Sequence, residues 1–279
     1  MRTSINTWVF GFDHPIEDAV QHIAGYGFQG VEVPFRDAEM RWTGSQKKGL
    51  LESTRGSGLR VATLLVALGM LPPENGRNLS STDPTLRRQA AEFCLRGLDL
   101  ACELDADRVV LNVGKLEEGQ SEEDACAFTV DSLRSLLDRA PEGKWKAVLE
   151  NFPDRWIGSA AKMRTVIERV ASPRFGALLD TGHQNVLKEP FRDALREVGG
   201  ALFHLHLNNN SGDQDSHHPP SEGTLSRMDF LDDFRALRQA GYDGWFSFEV
   251  FGADRGRDPG LVCQDCADLI TFFNLEGGL

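Results

Sequence analysis

Eight short apolar runs alternate strictly with eight amphipathic stretches along the chain, and that alternation constrains the fold more than any other feature. The strand-like runs are TSINTWVF (3–10), GVEVPF (30–35), RVATLLVA (60–67), RVVLNV (108–113), KAVLENF (146–152), FGALLD (175–180), LFHLHLN (202–208) and WFSFEV (245–250). Helical patterns lie between and after them: 15–27, 45–57, 83–105, 121–140, 159–172, 189–200, 228–244 and 259–276. The segment 45–57 is the weakest, being short and holding two glycines. Strict strand–helix alternation means parallel strands joined by crossover helices. Eight repeats in 279 residues fit a single (β/α)8 TIM barrel spanning 1–279. The competing open, doubly wound sheet announces itself with a Gly-rich turn after the first strand, and VFGFDHP is not one.

Bulk properties exclude several functions. Acidic residues outnumber basic ones, 42 to 30, for a formal net charge of -12, which disfavours binding to a phosphate backbone, so no nucleic-acid partner is expected. The sequence has no apolar run of membrane-spanning length, and MRTSINTWVF lacks the features of a signal peptide, so no membrane partner and a cytoplasmic location are expected. The five cysteines include one CxxC, Cys263 and Cys266, with no second pair or His cluster to complete a zinc site. All five read as reduced structural thiols.

A barrel of this kind places its active site at the C-terminal ends of the strands. Side chains alternate between the barrel interior and the helix-facing side. The parity turns Phe246, Phe248 and Val250 outward and Ser247 and Glu249 inward. It turns Phe203, Leu205 and Leu207 outward and His204, His206 and Asn208 inward. Glu150, Asp180, Glu32 and Asn112 also point inward. Strands five to eight thus deliver Glu150, Asp180, His206 and Glu249 to one end of one barrel. Three carboxylates and an imidazole packed together repel and desolvate one another unless a cation sits among them. These four are therefore assigned as ligands of a divalent metal ion. Mostly hard oxygen donors with one nitrogen suit Mn²⁺, Mg²⁺ or Co²⁺ better than Zn²⁺, which stays open. His204, one layer deeper, reads as a hydrogen-bonded core histidine. Glu32 and Asn112 are assigned to substrate contact, with ligation or an Arg partner as alternatives for Glu32. Trp8, Trp42 and Trp156 lie in or near segments reaching the same rim, where an aromatic wall would face a sugar ring.

The stretch LLDTGH (178–183) has two readings. Asp180 caps a following helix while Gly182 supplies a positive φ, or both Asp180 and His183 point into a site.

VLEN, LLDTGH, HLHLNNN and SFEV, in this order, resemble the xylose-isomerase-like superfamily of sugar phosphate isomerases and epimerases. The resemblance covers the barrel from GFQGVEV to GYDGWFSFEV. It implies that Glu150, Asp180, His206 and Glu249 hold the metal and that His183 contacts substrate. GDQDSHHPPSEG (212–223) resembles a family loop, D-x-H-x-P-P-G-x-G, with Asp215, His217, Pro219 and Pro220 matching and Ser221 in place of the first Gly. His217 joins the substrate-binding set on this basis. The chain departs from the ketohexose 3-epimerases of the superfamily, which place a Glu where Trp156 stands and an Arg where Gly212 stands. It departs from the apurinic endonucleases too, whose additional zinc histidines are replaced near Val66, Ala67 and Asn112, although Asp215 and His217 match their third-metal pair.

The activity this implies is metal-dependent isomerisation or epimerisation of a small sugar, sugar acid or cyclitol through a metal-stabilised enediolate, with Glu150 and Glu249 moving the proton. Dehydration of a keto-sugar or inosose shares that intermediate and is the nearest alternative. An apurinic-endonuclease-like phosphoesterase is a second, and a sugar-binding protein without turnover a third. The partner is a small sugar-like molecule, and a homo-oligomer is left open.

Overall fold

The computed structural model describes residues 1–68 and 77–276. Its centre is a closed barrel of eight parallel strands in chain order. The strands are β1 (Arg2–Asn6), β2 (Gly30–Phe35), β3 (Arg60–Val66), β4 (Arg108–Leu111), β5 (Lys146–Glu150), β6 (Phe175–Asp180), β7 (Leu202–Leu207) and β8 (Trp245–Phe248). Closure comes from β1 pairing with β8, Ser4 opposite Ser247.

The helices are α1 (Ile16–Ile23), α2 (Gly44–Gly56), α3 (Pro84–Glu103), α4 (Glu122–Arg139), α5 (Ala160–Val170), α6 (Thr181–Leu187), α7 (Phe191–Val198), α8 (Arg227–Gln239) and α9 (Pro259–Glu276). Among the described residues α6 is the helix beyond the expected eight. It starts directly at the end of β6, because Asp180 acts as its N-cap and accepts the His183 N–H. The weakest expected helix, α2, is secured by a capping box: Thr43 accepts the Gln46 N–H and Gln46 reaches back to the Thr43 N–H. Strand β1 is shorter than its apolar run, because the chain turns into a 3-10 helix at Thr7–Phe10 that ends at Gly11 with φ 114°. None of the described helices is long and apolar enough to cross a membrane.

Packing separates into two layers. The outer core lies between strands and helices and collects Leu149, Ala177, Leu179, Leu205, Leu207, Phe246, Phe248 and Val250, the outward set. The inner layer gathers Leu65, Val110, Val148 and Leu178 near Trp8. Phe203 does not follow the expected parity. The register between β6 and β7 shifts there, Ala177 pairing with Leu202 and Leu178 with His204, so Phe203 is the extra residue and packs against the inner group. The cysteines are free thiols. Cys263 and Cys266 are buried on α9, and burial pushes the Cys263 thiol up to about 12, which keeps it protonated and unreactive.

Candidate metal centre and the cleft above it

Glu150 ends β5, Asp180 ends β6, His206 is the penultimate residue of β7 and Glu249 follows β8. One ligand atom from each of these four lies within 4.8 Å of every other, and all four residues are buried. His206 Nδ1 is the hub. It lies 2.8 Å from Glu249 Oε2, 3.0 Å from Glu150 Oε1 and 3.8 Å from Asp180 Oδ2. Glu150 Oε2 and Glu249 Oε1 are buried without a hydrogen-bond partner among the described residues. Orphaned carboxylate oxygens around an imidazole lone pair fit a divalent cation, which would take up the charge that no side chain balances.

The electrostatics without the ion express the same crowding. Burial raises the Glu150 carboxyl, and the Glu249 charge adds to this against the pull of His206, leaving it at about 7. Asp180 is likewise pushed up by burial. Burial disfavours the His206 imidazolium, yet the carboxylates of Glu32, Glu249 and Glu150 hold its pKa well above the ordinary value.

Asp180 does two things at once. One oxygen caps α6 through the His183 N–H at 2.8 Å, and the other accepts the Asn208 amide at 2.7 Å. The cap reading of LLDTGH holds for Asp180, which also faces the cluster, but Gly182 has no positive φ. It is glycine for lack of room: a Cβ there would stand 1.8 Å from Asn208 Oδ1.

His183 lies in the first turn of α6, not in an irregular loop, and is buried. Its Nδ1 is 2.6 Å from the Asn151 carbonyl and its Nε2 is 3.0 Å from Asp215 Oδ2. Asp215 also meets His217 Nε2 at 3.1 Å. His183, Asp215 and His217 form a second group whose ligand atoms lie within 4.8 Å of one another. Burial opposes charge on the His183 ring, but Asp180 and Asp215 raise its pKa well above the ordinary value. His217 is raised to about 10, burial being overruled by Asp215 and Glu249. It holds φ 46°, fixed by its Nδ1 contact to the Glu249 carbonyl at 3.1 Å.

Above the ligands opens a cleft of about 640 Å³. Trp8, Phe12, Phe152 and Phe251 give it an apolar wall, and Asp215 and His217 line it on the β7 side. Phe12 and Phe251, missed in the sequence, meet edge-on with centroids 5.3 Å apart, and Phe251 lies 4.4 Å from the His217 ring. Trp156 does not line the cleft; it is buried in the outer core, and Trp42 packs half-buried against that core. Asn112 is buried and directly follows β4. Glu32 is buried beneath the ligand cluster, 3.0 Å from His206 Nε2 and 3.4 Å from His204 Nε2. Burial raises Glu32, but the two histidines more than offset this and hold it at about 2. His204 also meets Thr63 Oγ1 at 3.1 Å, as a hydrogen-bonded core histidine. Gly212 has φ 85°, a conformation that strains any other residue, and a Cβ there would lie 2.6 Å from Lys188 Nζ, the movable end of that side chain.

The family model described as xylose isomerase-like TIM barrel matches residues 20–266. The chain belongs to that family. Similar curated proteins include an uncharacterized protein of Methanocaldococcus jannaschii, 26% identical over 184 residues, covering 63% of this chain and 62% of that protein. Fructoselysine 3-epimerase of Escherichia coli O157:H7 is 22% identical over 247 residues, covering 85% of this chain and 86% of its own. Among solved structures, a D-psicose 3-epimerase crystallised with D-fructose superimposes with a TM-score of 0.81 at 20% identity, covering 99% of both chains.

Proposed function

We propose that this family member is a divalent-metal-dependent isomerase or epimerase of a small sugar, sugar acid or cyclitol. The single observation that carries this is the buried Glu150–Asp180–His206–Glu249 cluster set beneath an aromatic-walled cleft. Mn²⁺, Mg²⁺ or Co²⁺ suits the donor set, and once bound it supplies Lewis acidity toward neighbouring carbonyl and hydroxyl oxygens of the substrate.

The protein's own residues do the rest. Glu150 and Glu249 each keep one oxygen without a protein partner, so each has a free site for a proton. Glu150 takes the proton from the substrate C–H and leaves an enediolate. Burial raises the Glu249 carboxyl but His206 and His217 hold it below the ordinary value, so Glu249 takes up a proton from solvent before it returns one to carbon, and Glu150 releases its own to solvent. His183 and His217 each present Nε2 to Asp215, so a substrate oxygen gains an N–H donor from either ring by taking the place of that carboxylate. Asn112 is a further polar contact at the barrel mouth. The apolar wall takes the C–H face of the sugar. Kinship with sugar epimerases supports this, and Gly212 and Trp156, which stand where the ketohexose 3-epimerases carry Arg and Glu, speak for a substrate other than a free ketohexose.

The test is a solvent-deuterium exchange screen of the Mn²⁺-loaded protein across ketoses, keto acids and inososes. Incorporation of deuterium at one carbon is expected, and release of water from the same substrate would assign a dehydratase. Binding without exchange by any candidate would leave a sugar-binding protein instead.

A second reading has one specific observation behind it, the His183–Asp215–His217 group, which resembles a further cation site. It would make the protein a multi-metal phosphoesterase. Two or more bound zinc ions together with cleavage of abasic DNA would establish that reading; the net charge of -12 opposes it.

A further inference from the structure

The His206 ring has carboxylates at both nitrogens, and they are not equivalent. On the Nδ1 side stand Glu150, Asp180 and Glu249, whose oxygens converge on one point. On the Nε2 side stands Glu32 alone, its Oε2 at 3.0 Å. A neutral imidazole that gives its Nδ1 lone pair to a cation must carry its proton on Nε2, and Glu32 is the acceptor placed for that proton. Glu32 is itself oriented: His204 Nε2 approaches the same oxygen at 3.4 Å and Ser247 Oγ at 3.5 Å, and Thr63 Oγ1 shares that His204 nitrogen at 3.1 Å. Glu32 is buried, and its Oε2 is the atom on which the His206, His204 and Ser247 contacts converge.

We infer that Glu32 is a positioning residue of the metal centre, which fixes the His206 ring in the tautomer and orientation that present Nδ1 to the ion. The inference rests on the metal-centre reading above. A neutral core acceptor would satisfy the Nε2 proton as well as Glu32 does. A carboxylate in that place also raises the basicity of the ligating nitrogen, and a role confined to packing would not require that.

The experiment is Mn²⁺ titration of the metal-free protein, followed by electron paramagnetic resonance, for the parent, E32A, E32Q and H206A. The visible absorption of Co²⁺-loaded samples is recorded alongside. Loss of an outer partner of this kind weakens metal binding by about 10–100-fold, which is the expectation for E32A. E32Q keeps an acceptor oxygen and the side-chain volume, so it recovers part of the affinity, and the Co²⁺ bands of E32A shift as the ring loses its fixed orientation. Parent affinity and an unchanged Co²⁺ spectrum in E32Q and E32A, with the ion lost in H206A, overturn the inference and leave the metal centre standing. Should E32A not fold, E32Q decides alone: a several-fold loss of affinity supports the role, and parent affinity refutes it. Retention of the ion by H206A removes the metal centre itself, and the role of Glu32 with it.

Discussion

Asp180 and Asn208 are joined by an amide-to-carboxylate hydrogen bond of 2.7 Å that passes over Gly182. The same carboxylate caps α6 through its other oxygen, so its orientation is set from two sides before any ion arrives. D180N keeps an acceptor for the cap, and Asn208 can rotate to offer its unpartnered Oδ1 to the new amide. We expect D180N to stay folded, within about 1 kcal/mol of the parent as for other cap-preserving changes, while losing its metal. Thermal melts with elemental analysis check this; a variant that keeps stoichiometric metal would exclude Asp180 as a ligand.

The remaining ligands are separable from the fold in the same way. E150Q, H206A and E249Q should each purify with depleted metal, and their affinity for added Mn²⁺ should drop. Inductively coupled plasma analysis of the three proteins is the measurement. Full occupancy in all of them would place the ion elsewhere.

The pH dependence has a definite sign. The folded Glu150 carboxyl sits near 7, above its ordinary 4.5, so its contribution to the stability of the metal-free fold is lost as pH rises from about 4.5 through 7. His206, raised above 6.5, adds stability below that pH and loses it as pH climbs through its elevated value. The ion requires both groups deprotonated and releases their protons on binding. Metal affinity should therefore rise from pH 6 to pH 8, and so should the increase in melting temperature that Mn²⁺ confers. Calorimetric melts with and without Mn²⁺ at both values would contradict this if the increase were flat or larger at pH 6.

Much of this was legible in the sequence, for identifiable reasons. Period-two alternation fixes which face of a strand a residue occupies, so Glu150, Asp180, His206 and Glu249 could be turned inward without knowing any angle. Alternation fails where the backbone inserts a residue, as at Phe203, and bulges leave no local signature in LFHLHLN. It also gives no depth: Glu32 and Glu249 share a parity, yet one lies under the histidine and the other beside the ion. Gly182 read as a turn residue because a close approach by a side chain 26 positions away, Asn208, is invisible locally. The cap T-x-x-Q before α2 was readable, and it outweighs the two glycines that made the segment look weak. The aromatic wall was anticipated at Trp8 but misplaced at Trp156, since Phe12 and Phe251 come from loops at opposite ends of the chain.

That misplacement gives a direct test of the cleft. Trp8 is the tryptophan that lines it among the described residues, Trp156 being in the outer core. A substrate that changes tryptophan fluorescence in the parent should leave W8F silent and W156F responsive. The reverse result would move the substrate away from the Trp8 wall.

Gly182 offers a probe of geometry without touching a ligand. In G182A the new methyl meets Asn208 Oδ1 at 1.8 Å and the Asn210 amide at 2.9 Å, so Asn208 must leave Asp180. Overpacking of this kind costs about 1–3 kcal/mol, and the freed Asp180 oxygen should weaken metal binding as well. Parent stability and affinity would mean that the Asn208 bond does not orient the ligand.

The last prediction concerns His183, which touches the site but lies outside the four-ligand cluster. Its ring is pinned by the Asn151 carbonyl and by Asp215, and it packs against Phe152, a cleft-lining residue whose ring centroid is 4.6 Å away. A preorganised donor toward developing oxyanion charge is worth roughly 2.7–4 kcal/mol, or about a hundredfold or more in rate. H183A and H183N should therefore lower turnover by about that factor while the Mn²⁺ content stays near the parent value. His183 caps nothing with its side chain, so α6 should persist, and circular dichroism can confirm that the loss is chemical. Were the variants to lose a metal ion instead, the His183–Asp215–His217 group would be a second cation site, and the phosphoesterase reading would gain. Were they to keep both metal and full turnover, the imidazole would be no more than a buried bracket between Asn151 and Asp215, and the proton and oxyanion chemistry would fall to Glu150, Glu249 and His217 alone.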